Sequence, residues 1–128
     1  LMLMLLVLLP RASFAQEVPQ TVVFKKEELQ QLLAPIALYP DQLLAQVLMA
    51  STYPLQVVQA ARWQKDNAKL SGEALDKALD GKEWDASVKS IVPFPQVLKM
   101  MSDELEWTQK LGDAFLAQQA DVMKEVQY

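Results

Sequence analysis

The stretch LYPDQLLAQVLMASTYPLQ, residues 38–56, places a run of apolar residues between two Tyr-Pro steps. Proline lacks a backbone amide donor, so it fits the first turn of a helix but costs about 3 kcal/mol or more inside one. The residue before a proline is also displaced from helical backbone angles. We therefore predict that Pro40 and Pro54 each lie in the first turn of a new helix.

An apolar stripe with the spacing of one helix face runs between the two prolines. It consists of Leu43, Leu44, Val47 and Leu48. After Pro54 the helical pattern continues to about Leu70. A single kinked helix over residues 36–70 is the alternative interpretation, because kinked helices tolerate proline. We favour separate helices, since proline is well tolerated wherever a helix begins.

Similar signals divide the rest of the chain. A helical pattern begins at Lys25, and Pro35 stops or kinks it. Later boundaries are predicted at a capping Ser71, a terminal Gly81, a capping Asp85, a restart at Pro95 and a division at Gly112–Asp113. The apolar stripes are broad and the loops are few. We therefore predict one all-α domain over residues 25–128, built as an irregular array of six or seven short helices.

The first fifteen residues, LMLMLLVLLPRASFA, have the pattern of a secretory signal peptide. The apolar run Leu1–Leu9 is too short to span a bilayer, and Ser13-Phe14-Ala15 fits a small-x-small cleavage site. We expect export to the periplasm or the extracellular space, no membrane span after cleavage, and an extended arm over residues 16–24. The chain opens without Met and its helical pattern runs to Tyr128, so we expect the natural sequence to extend at both ends.

The composition indicates a helical protein with an acidic surface. The 128 residues are 52% hydrophobic and carry a formal charge of -4, which becomes -5 when Arg11 is removed with the signal peptide. An acidic chain without a Lys/Arg cluster has no electrostatic attraction for nucleic acid or anionic lipid, so neither is expected as a partner. The chain has no cysteine, so neither disulfides nor a lipid anchor at the cleavage site are expected.

Two long phrases of the sequence carry a family resemblance. They are LLAPIALYPDQLLAQVLMASTYPLQVVQAARW, which starts at Leu32, and WDASVKSIVPFPQVLKMM, which starts at Trp84. Within a match over residues 32–128, they resemble a bacterial exported family known as domain of unknown function 3300. The resemblance implies a helical, exported bacterial domain that is often followed by a low-complexity tail. It implies no activity, substrate or catalytic residue, so function stays open.

The residue types argue against several catalytic classes. The chain has no histidine and no cysteine, so a histidine base, a thiol nucleophile and a zinc or copper site are not expected. None of the six serines begins a Ser-x-x-Lys motif or lies in a Gly-x-Ser-x-Gly elbow. Paired carboxylates remain possible for hydrolysis. The candidates, whose ordinary roles are helix starts and solvated faces, are Asp41, Glu83, Asp85, Asp103, Glu104 and Glu106.

The segment DKALDGKEWDAS, which starts at Asp76, has the length of a calcium-binding loop. Its third position is Ala78, which offers no side-chain oxygen, and its twelfth is Ser87, where an EF-hand needs a bidentate Glu. A carboxylate site for a hard cation near Asp80, Glu83 and Asp85 stays open as an alternative. No metal or cofactor is predicted.

Seven residues are candidates for ligand binding: Tyr39, Asp41, Tyr53, Arg62, Trp63, Trp84 and Asp85. The tryptophans either form an aromatic platform or anchor the core, and we favour the core from the burial expected of tryptophan. The two tyrosines are expected to pack over helix junctions. Arg62, the only arginine after the signal peptide, either pairs with Asp41 or Asp85 or binds an anion, and we favour the ion pair.

Three functions are compatible with these features. The favoured hypothesis is a noncatalytic cell-envelope or extracellular interaction module whose partner is a protein or another envelope component. The alternatives are a small-ligand or glycan-binding domain that uses Tyr39, Arg62 and Trp84, and a carboxylate-dependent hydrolase. An exposed apolar groove favours the first, a closed pocket with aromatic and polar groups the second, and two facing carboxylates the third.

Overall fold

The computed structural model describes residues 23–126. This part of the chain contains eight α-helices, one 3₁₀ turn and no strand, so the predicted all-α fold is confirmed. The predicted signal peptide and residues 16–22 of the predicted arm lie outside the described residues. The elements are α1 (Lys26–Leu33), the 3₁₀ turn (Ala34–Ile36), α2 (Asp41–Ala50), α3 (Pro54–Asp66), α4 (Gly72–Asp80), α5 (Ala86–Ile91), α6 (Pro95–Asp103), α7 (Leu105–Ala117) and α8 (Gln119–Val126).

Three prolines mark the starts of helices. Pro54 and Pro95 are the first residues of α3 and α6, and Pro40 immediately precedes α2. The missing amide is harmless at these positions because the first amides of a helix have no acceptor within it. Residues 51–53 form a turn between α2 and α3. The alternative of one kinked helix over residues 36–70 is therefore wrong.

The core is formed by the apolar faces of the helices. The two most extensive helix contacts are those of α2 with α5 and of α3 with α6. α7 contacts α1, α2, α3, α6 and α8, so it lies at the centre of the array. Full burial of one large apolar side chain contributes about 1.5–3 kcal/mol. The side chains that solvent hardly reaches include Ile36, Val47, Leu48, Val57, Val88, Ile91, Leu98, Met101 and Leu111.

The predicted division at Gly112–Asp113 is wrong. Gly112 lies inside α7 and is buried, because α7 passes closely over the turn that follows α2. A Cβ atom on Gly112 would overlap the Ser51 carbonyl oxygen and lie 2.8 Å from the Ser51 carbonyl carbon. The glycine therefore permits a close approach between two backbones and does not end a helix.

The chain instead breaks at Glu104 and Gln118, which raises the helix count above the predicted six or seven. Glu104 separates α6 from α7, and across this corner Thr108 Oγ1 donates to the Met101 carbonyl oxygen at 2.6 Å. Gln118 separates α7 from α8 and binds the backbone of Phe24 twice. Phe24 N donates to its Oε1 at 2.6 Å, and its Nε2 donates to the Phe24 carbonyl oxygen at 3.0 Å. The segment before α1 is thereby joined to the α7–α8 corner.

The connection from α3 to α4 also differs from the prediction. α3 ends at Asp66, earlier than predicted, because the Asn67 side-chain amide donates to the Trp63 carbonyl oxygen at 2.8 Å and closes the last turn. Ser71 immediately precedes α4, but its hydroxyl makes no capping hydrogen bond. Gly72 opens α4 with a φ of 58°, which a residue with a side chain rarely adopts.

Within residues 23–126, no single helix is long and apolar enough to cross a membrane. α1 with its 3₁₀ turn and α2 satisfy the requirements of length and composition only as a pair, and this pair is bent by 115°. The bend lies at residues 37–40, between the 3₁₀ turn and α2.

We expect Gly112→Ala to lower the free energy of unfolding by about 1–3 kcal/mol, the usual cost of overpacking. The added methyl group would displace the Ser51 carbonyl from α7. Chemical denaturation followed by circular dichroism measures the change. Gly81→Ala is the matched control, because its added Cβ lies 3.7 Å from the Ala78 carbonyl oxygen, an ordinary contact. An equal decrease in the free energy of unfolding in both variants would contradict the role given to Gly112.

Candidate functional site

Two tryptophans pack together where α3 meets the loop between α4 and α5. Trp63 lies on α3 and Trp84 lies in the loop, with ring centroids 6.0 Å apart and ring planes at 76°. This edge-to-face arrangement suits the charge distribution of aromatic rings. Both side chains are half-buried and pack against the core. The pair therefore attaches the α4–α5 loop to α3.

Lys82 adds a cation to this pair. Its Nζ lies 5.3 Å from the ring centroid of Trp63 and 5.5 Å from that of Trp84. Both distances fall within the range of about 6 Å over which a cation interacts favourably with an aromatic ring. The two rings therefore contact each other and an internal cation, which leaves less of their faces open to a flat ligand such as a sugar.

Asp85 caps α5, as predicted, and links this helix to α3. Its carboxylate accepts hydrogen bonds from Ser87 N at 3.0 Å and from Ser87 Oγ at 2.5 Å. Its own N–H donates to Gln56 Oε1 at 2.7 Å, and Gln56 lies in the first turn of α3. Tyr53, just before α3, places its hydroxyl near enough to the same carboxylate to favour its charged form. The α4–α5 loop thus lies along α3, and it places Trp84 beside Trp63 and Asp85 beside Tyr53.

These hydrogen bonds lower the pKa of Asp85 below its ordinary value of 3.8. The Ser87 hydroxyl makes the largest contribution and the Ser87 amide the next largest. Burial raises the pKa to a lesser extent, and the Tyr53 hydroxyl lowers it slightly. A catalytic acid needs a carboxyl group whose pKa is raised. The environment of Asp85 therefore favours a helix cap and opposes the role of proton donor.

The other three candidate residues have different surroundings. Tyr39 is half-buried in the turn before α2 and packs against the core. Asp41 is exposed in the first turn of α2, at a groove that it shares with Leu44 and Met123. Arg62 is exposed on α3 and borders a groove between α3 and α6. The seven candidates therefore do not form one site.

The predicted ion pair of Arg62 with Asp41 or Asp85 is wrong. Neither carboxylate lies within 4.0 Å of the guanidinium, since the ion pairs among residues 23–126 are Lys99–Asp103 and Lys110–Glu106. Arg62 needs no buried partner because its side chain is exposed to water.

A further groove lies at the corner between α2, α3 and α7, and we call it the corner groove. It has a volume of about 470 Å³. Its lining residues are Ser51 and Thr52 of the α2–α3 turn, Pro54 of α3, and Gln109, Gly112, Asp113 and Leu116 of α7. Leu116, at the end of α7, is 72% exposed. A large apolar side chain of α7 is therefore exposed to water at this groove.

A family model described as Protein of unknown function (DUF3300) matches residues 25–128. The chain belongs to this family. The resemblance carried by the two sequence phrases is thereby confirmed. The DUF3300 match begins at Lys25, which immediately precedes α1, so it includes every described helix.

A curated relative of the DUF3300 domain is the uncharacterized protein YacH of Escherichia coli (strain K12). The two sequences are 54% identical over 104 residues. The aligned part covers 81% of this chain but 17% of YacH, so the relative is much longer than the chain. No solved structure matches the chain.

The carboxylates of the DUF3300 domain do not form the sites considered from the sequence. In the part of the chain that the structure describes, no three acidic side chains are grouped closely enough to hold a metal ion. The hard-cation site near Asp80, Glu83 and Asp85 is therefore not formed. Asp103 and Glu106, two of the hydrolase candidates, each pair with a lysine one turn away on an exposed helix face. Such pairs are typical of a solvated surface.

Two residues that shape the aromatic cluster were not predicted from the sequence. Lys82 stands two positions before Trp84, and this short spacing is the only sequence signal for its contact with the rings. Gln56 binds Asp85 across 29 positions of the chain. A partner at that separation leaves no periodic signal in a single sequence, so the connection emerges only from the fold.

We expect Asp85→Ala to lower the free energy of unfolding at neutral pH by about 1 kcal/mol, because α5 loses its N-cap. The folded-state pKa of Asp85 is lowered, so the stabilisation is fully present above its ordinary pKa of 3.8 and is lost as pH falls through the folded-state value. Chemical denaturation at several pH values should therefore show a difference between the proteins that is constant near neutral pH and shrinks below pH 3.8.

Asp76→Ala removes an exposed carboxylate from α4 and serves as the control. It should change stability little at any pH, because exposed charges far from a partner contribute little. A difference for Asp85→Ala that did not depend on pH would contradict the role of the charged cap.

Proposed function

We propose that this DUF3300 domain is a noncatalytic interaction module of an exported protein, and that the corner groove is its contact with a partner polypeptide. The partner would place an apolar side chain against Leu116. The observation that carries the proposal is the exposure of Leu116, which is 72% exposed and lines a groove of about 470 Å³. A single exposed leucine is ordinary, but Leu116 shares its groove with Pro54, and apolar side chains gathered at a concave surface are typical of interfaces.

The walls of the corner groove are held in place before any partner arrives. Ser51 Oγ donates to the Leu48 carbonyl oxygen at 2.5 Å, and Thr52 Oγ1 donates to the Met49 carbonyl oxygen at 2.6 Å. Gly112 lets α7 rest directly on this turn. A preformed surface loses little conformational freedom on binding, which favours association.

The other two hypotheses have less support from the same geometry. A glycan platform needs open ring faces, but Trp63 and Trp84 contact each other and Lys82. An acid–base hydrolase needs a carboxyl group with a raised pKa, whereas the pKa of Asp85 is lowered. These observations support a noncatalytic role.

Export is part of the same proposal, and it is supported by the sequence before the domain. The apolar run Leu1–Leu9 and the small residues Ser13 and Ala15 match the order of features in a secretory signal peptide. The absence of cysteine in all 128 residues also fits a stability that does not depend on the redox state of the compartment.

A unique introduced cysteine can test the corner groove, because the chain has none of its own. We expect full-length protein with Leu116→Cys, labelled with a thiol-reactive photo-crosslinker, to form a covalent product with one envelope polypeptide. Leu38→Cys is the matched control, since Leu38 is a leucine 97% exposed in the turn before α2. Gel analysis with mass spectrometry measures and identifies the product.

The specificity of that product is checked by competition. Excess unlabelled wild-type protein should abolish it, whereas excess Leu116→Asp protein should not, because a charge at this position opposes burial. Equal products from the Leu38→Cys and Leu116→Cys proteins, or equal competition by both unlabelled proteins, would rule out the corner groove as the contact.

The proposal of export leads to a separate prediction. We expect protein recovered from the periplasm or the medium to begin at Gln16, which N-terminal sequencing or intact-mass measurement detects. Ala15→Arg should prevent this cleavage, because the peptidase requires a small residue before the cut. Recovery of uncleaved protein in the cytoplasm alone would overturn the export proposal.

A further inference from the structure

The groove between α3 and α6 gathers positive charge on an otherwise acidic protein. It has a volume of about 380 Å³, and its charged lining residues are Arg62, Lys65, Lys99 and Asp103, a formal charge of +2. The whole chain has a formal charge of -4. Arg62 and Lys65 lie one turn apart on α3, and Lys99 is contributed by α6. No Lys/Arg cluster is visible in the sequence because folding alone brings these side chains to one groove.

Most of this positive charge is not engaged within the domain. Among residues 23–126, the ion pairs involve neither Arg62 nor Lys65. Lys99 pairs with Asp103 one turn away, and both side chains are exposed. An exposed pair of this kind contributes little to stability, so a stronger anion can replace Asp103 as the partner of Lys99.

We propose that the groove between α3 and α6 binds a phosphate monoester. A phosphate monoester carries a charge of about -1.5 to -2 near neutral pH, which complements the charge of the groove. The planar guanidinium of Arg62 can donate two parallel hydrogen bonds to phosphate oxygens, and lysine ammonium groups bind phosphate as point charges. A single carboxylate carries half the charge and would leave part of the groove charge unbalanced.

The rest of the groove suits the organic part of such a ligand. Ala61 and Pro95 are apolar lining residues, and Ser102 offers a hydroxyl group. The hydrocarbon stems of Lys65 and Lys99 add apolar surface below their charged ends. The volume of about 380 Å³ falls in the usual range for small-molecule sites and exceeds what a phosphate group alone occupies.

A titration of the full exported chain, labelled with ¹⁵N and followed by NMR, tests the proposal. Phenyl phosphate is the probe, and we expect the amide signals of Arg62, Lys65, Lys99 and Ser102 to shift together with saturation. Benzoate, which has the same ring but one carboxylate, should bind at least about tenfold more weakly because it has fewer charge-assisted hydrogen bonds. Inorganic phosphate should also bind more weakly, since it lacks the apolar part.

Charge variants give effects of opposite sign. Arg62→Gln should weaken phenyl phosphate binding by about tenfold or more through the loss of the bidentate contact. Asp103→Asn should strengthen it, because a negative charge leaves the groove. Lys77→Gln is the matched control for charge, since Lys77 is an exposed lysine on α4, and it should change affinity less than about twofold because salt screens distant charges. Circular dichroism verifies that each variant is folded.

Three outcomes would overturn the proposal. One is a set of shifts that spreads over all lysines and does not saturate, which would indicate nonspecific attraction. Another is equal weakening by Arg62→Gln and Lys77→Gln, which would place the anion elsewhere. Equal affinities for phenyl phosphate, benzoate and inorganic phosphate would exclude a monoester as the ligand class. None of these measurements involves the corner groove, so they are independent of the proposed interaction with a polypeptide.

Discussion

The arrangement of the helices depends on the close approach of α7 to the turn between α2 and α3. At Gly112 the α7 backbone lies so near the Ser51 carbonyl group that no side chain fits between them. α7 is also the helix that contacts five others, and its buried Leu111 and Ala114 flank the glycine. Any residue that separated α7 from the turn would therefore withdraw these side chains from the core. The same contact forms the floor of the corner groove, so fold and proposed interaction surface share one constraint.

Short helices create a second requirement, because each helix end leaves backbone groups without partners inside the helix. Isolated helices of 13 residues or fewer are only marginally stable in water, so the helices of this domain depend on packing against one another. Among the residues that the structure describes, the three buried hydroxyl side chains lie at helix ends or corners: Ser51 binds Leu48, Ser87 binds Asp85, and Thr108 binds Met101. In residues 23–126 no buried side-chain polar atom lacks a hydrogen bond. The buried polar side chains at these corners are therefore all hydrogen-bonded, and the corners stabilise a chain that has no disulfides.

Features fixed by the local chain could be predicted from the sequence, whereas features that need a distant partner could not. Pro54 and Pro95 begin helices because the amide that proline lacks has no use there. Asp85 caps α5 through Ser87, two positions away. At Gly112 the prediction of a helix end was wrong, because a glycine that ends a helix and one that admits a neighbouring backbone look alike in sequence. The difference lies in Ser51, more than sixty positions earlier.

Arg62 shows the same limitation for the candidate site. Its neighbours in VVQAARW suggested an apolar environment and hence a carboxylate partner. On a helix, however, residues adjacent in sequence point in different directions, and Val57 and Ala60 are buried while Arg62 is exposed. Four of the seven candidates do form two pairs, Trp63 with Trp84 and Tyr53 with Asp85, because the α4–α5 loop lies along α3. The surroundings of these pairs could not be predicted, since they depend on the Gln56 and Lys82 contacts.

The two grooves can act independently because they lie at opposite ends of α3. Pro54 borders the corner groove and Lys65 borders the groove with α6. At a rise of 1.5 Å per residue, these positions are about 16 Å apart along the helix. Effects of substitutions separated by more than about 7–10 Å usually add without interaction. Val57 and Ala60, which lie on α3 between Pro54 and Lys65, are fully buried, so packing holds this part of the helix in place. Coupling between the grooves would need an element with two alternative arrangements, and a packed helix of this kind is not one. Loss of function at one groove should therefore leave the other intact.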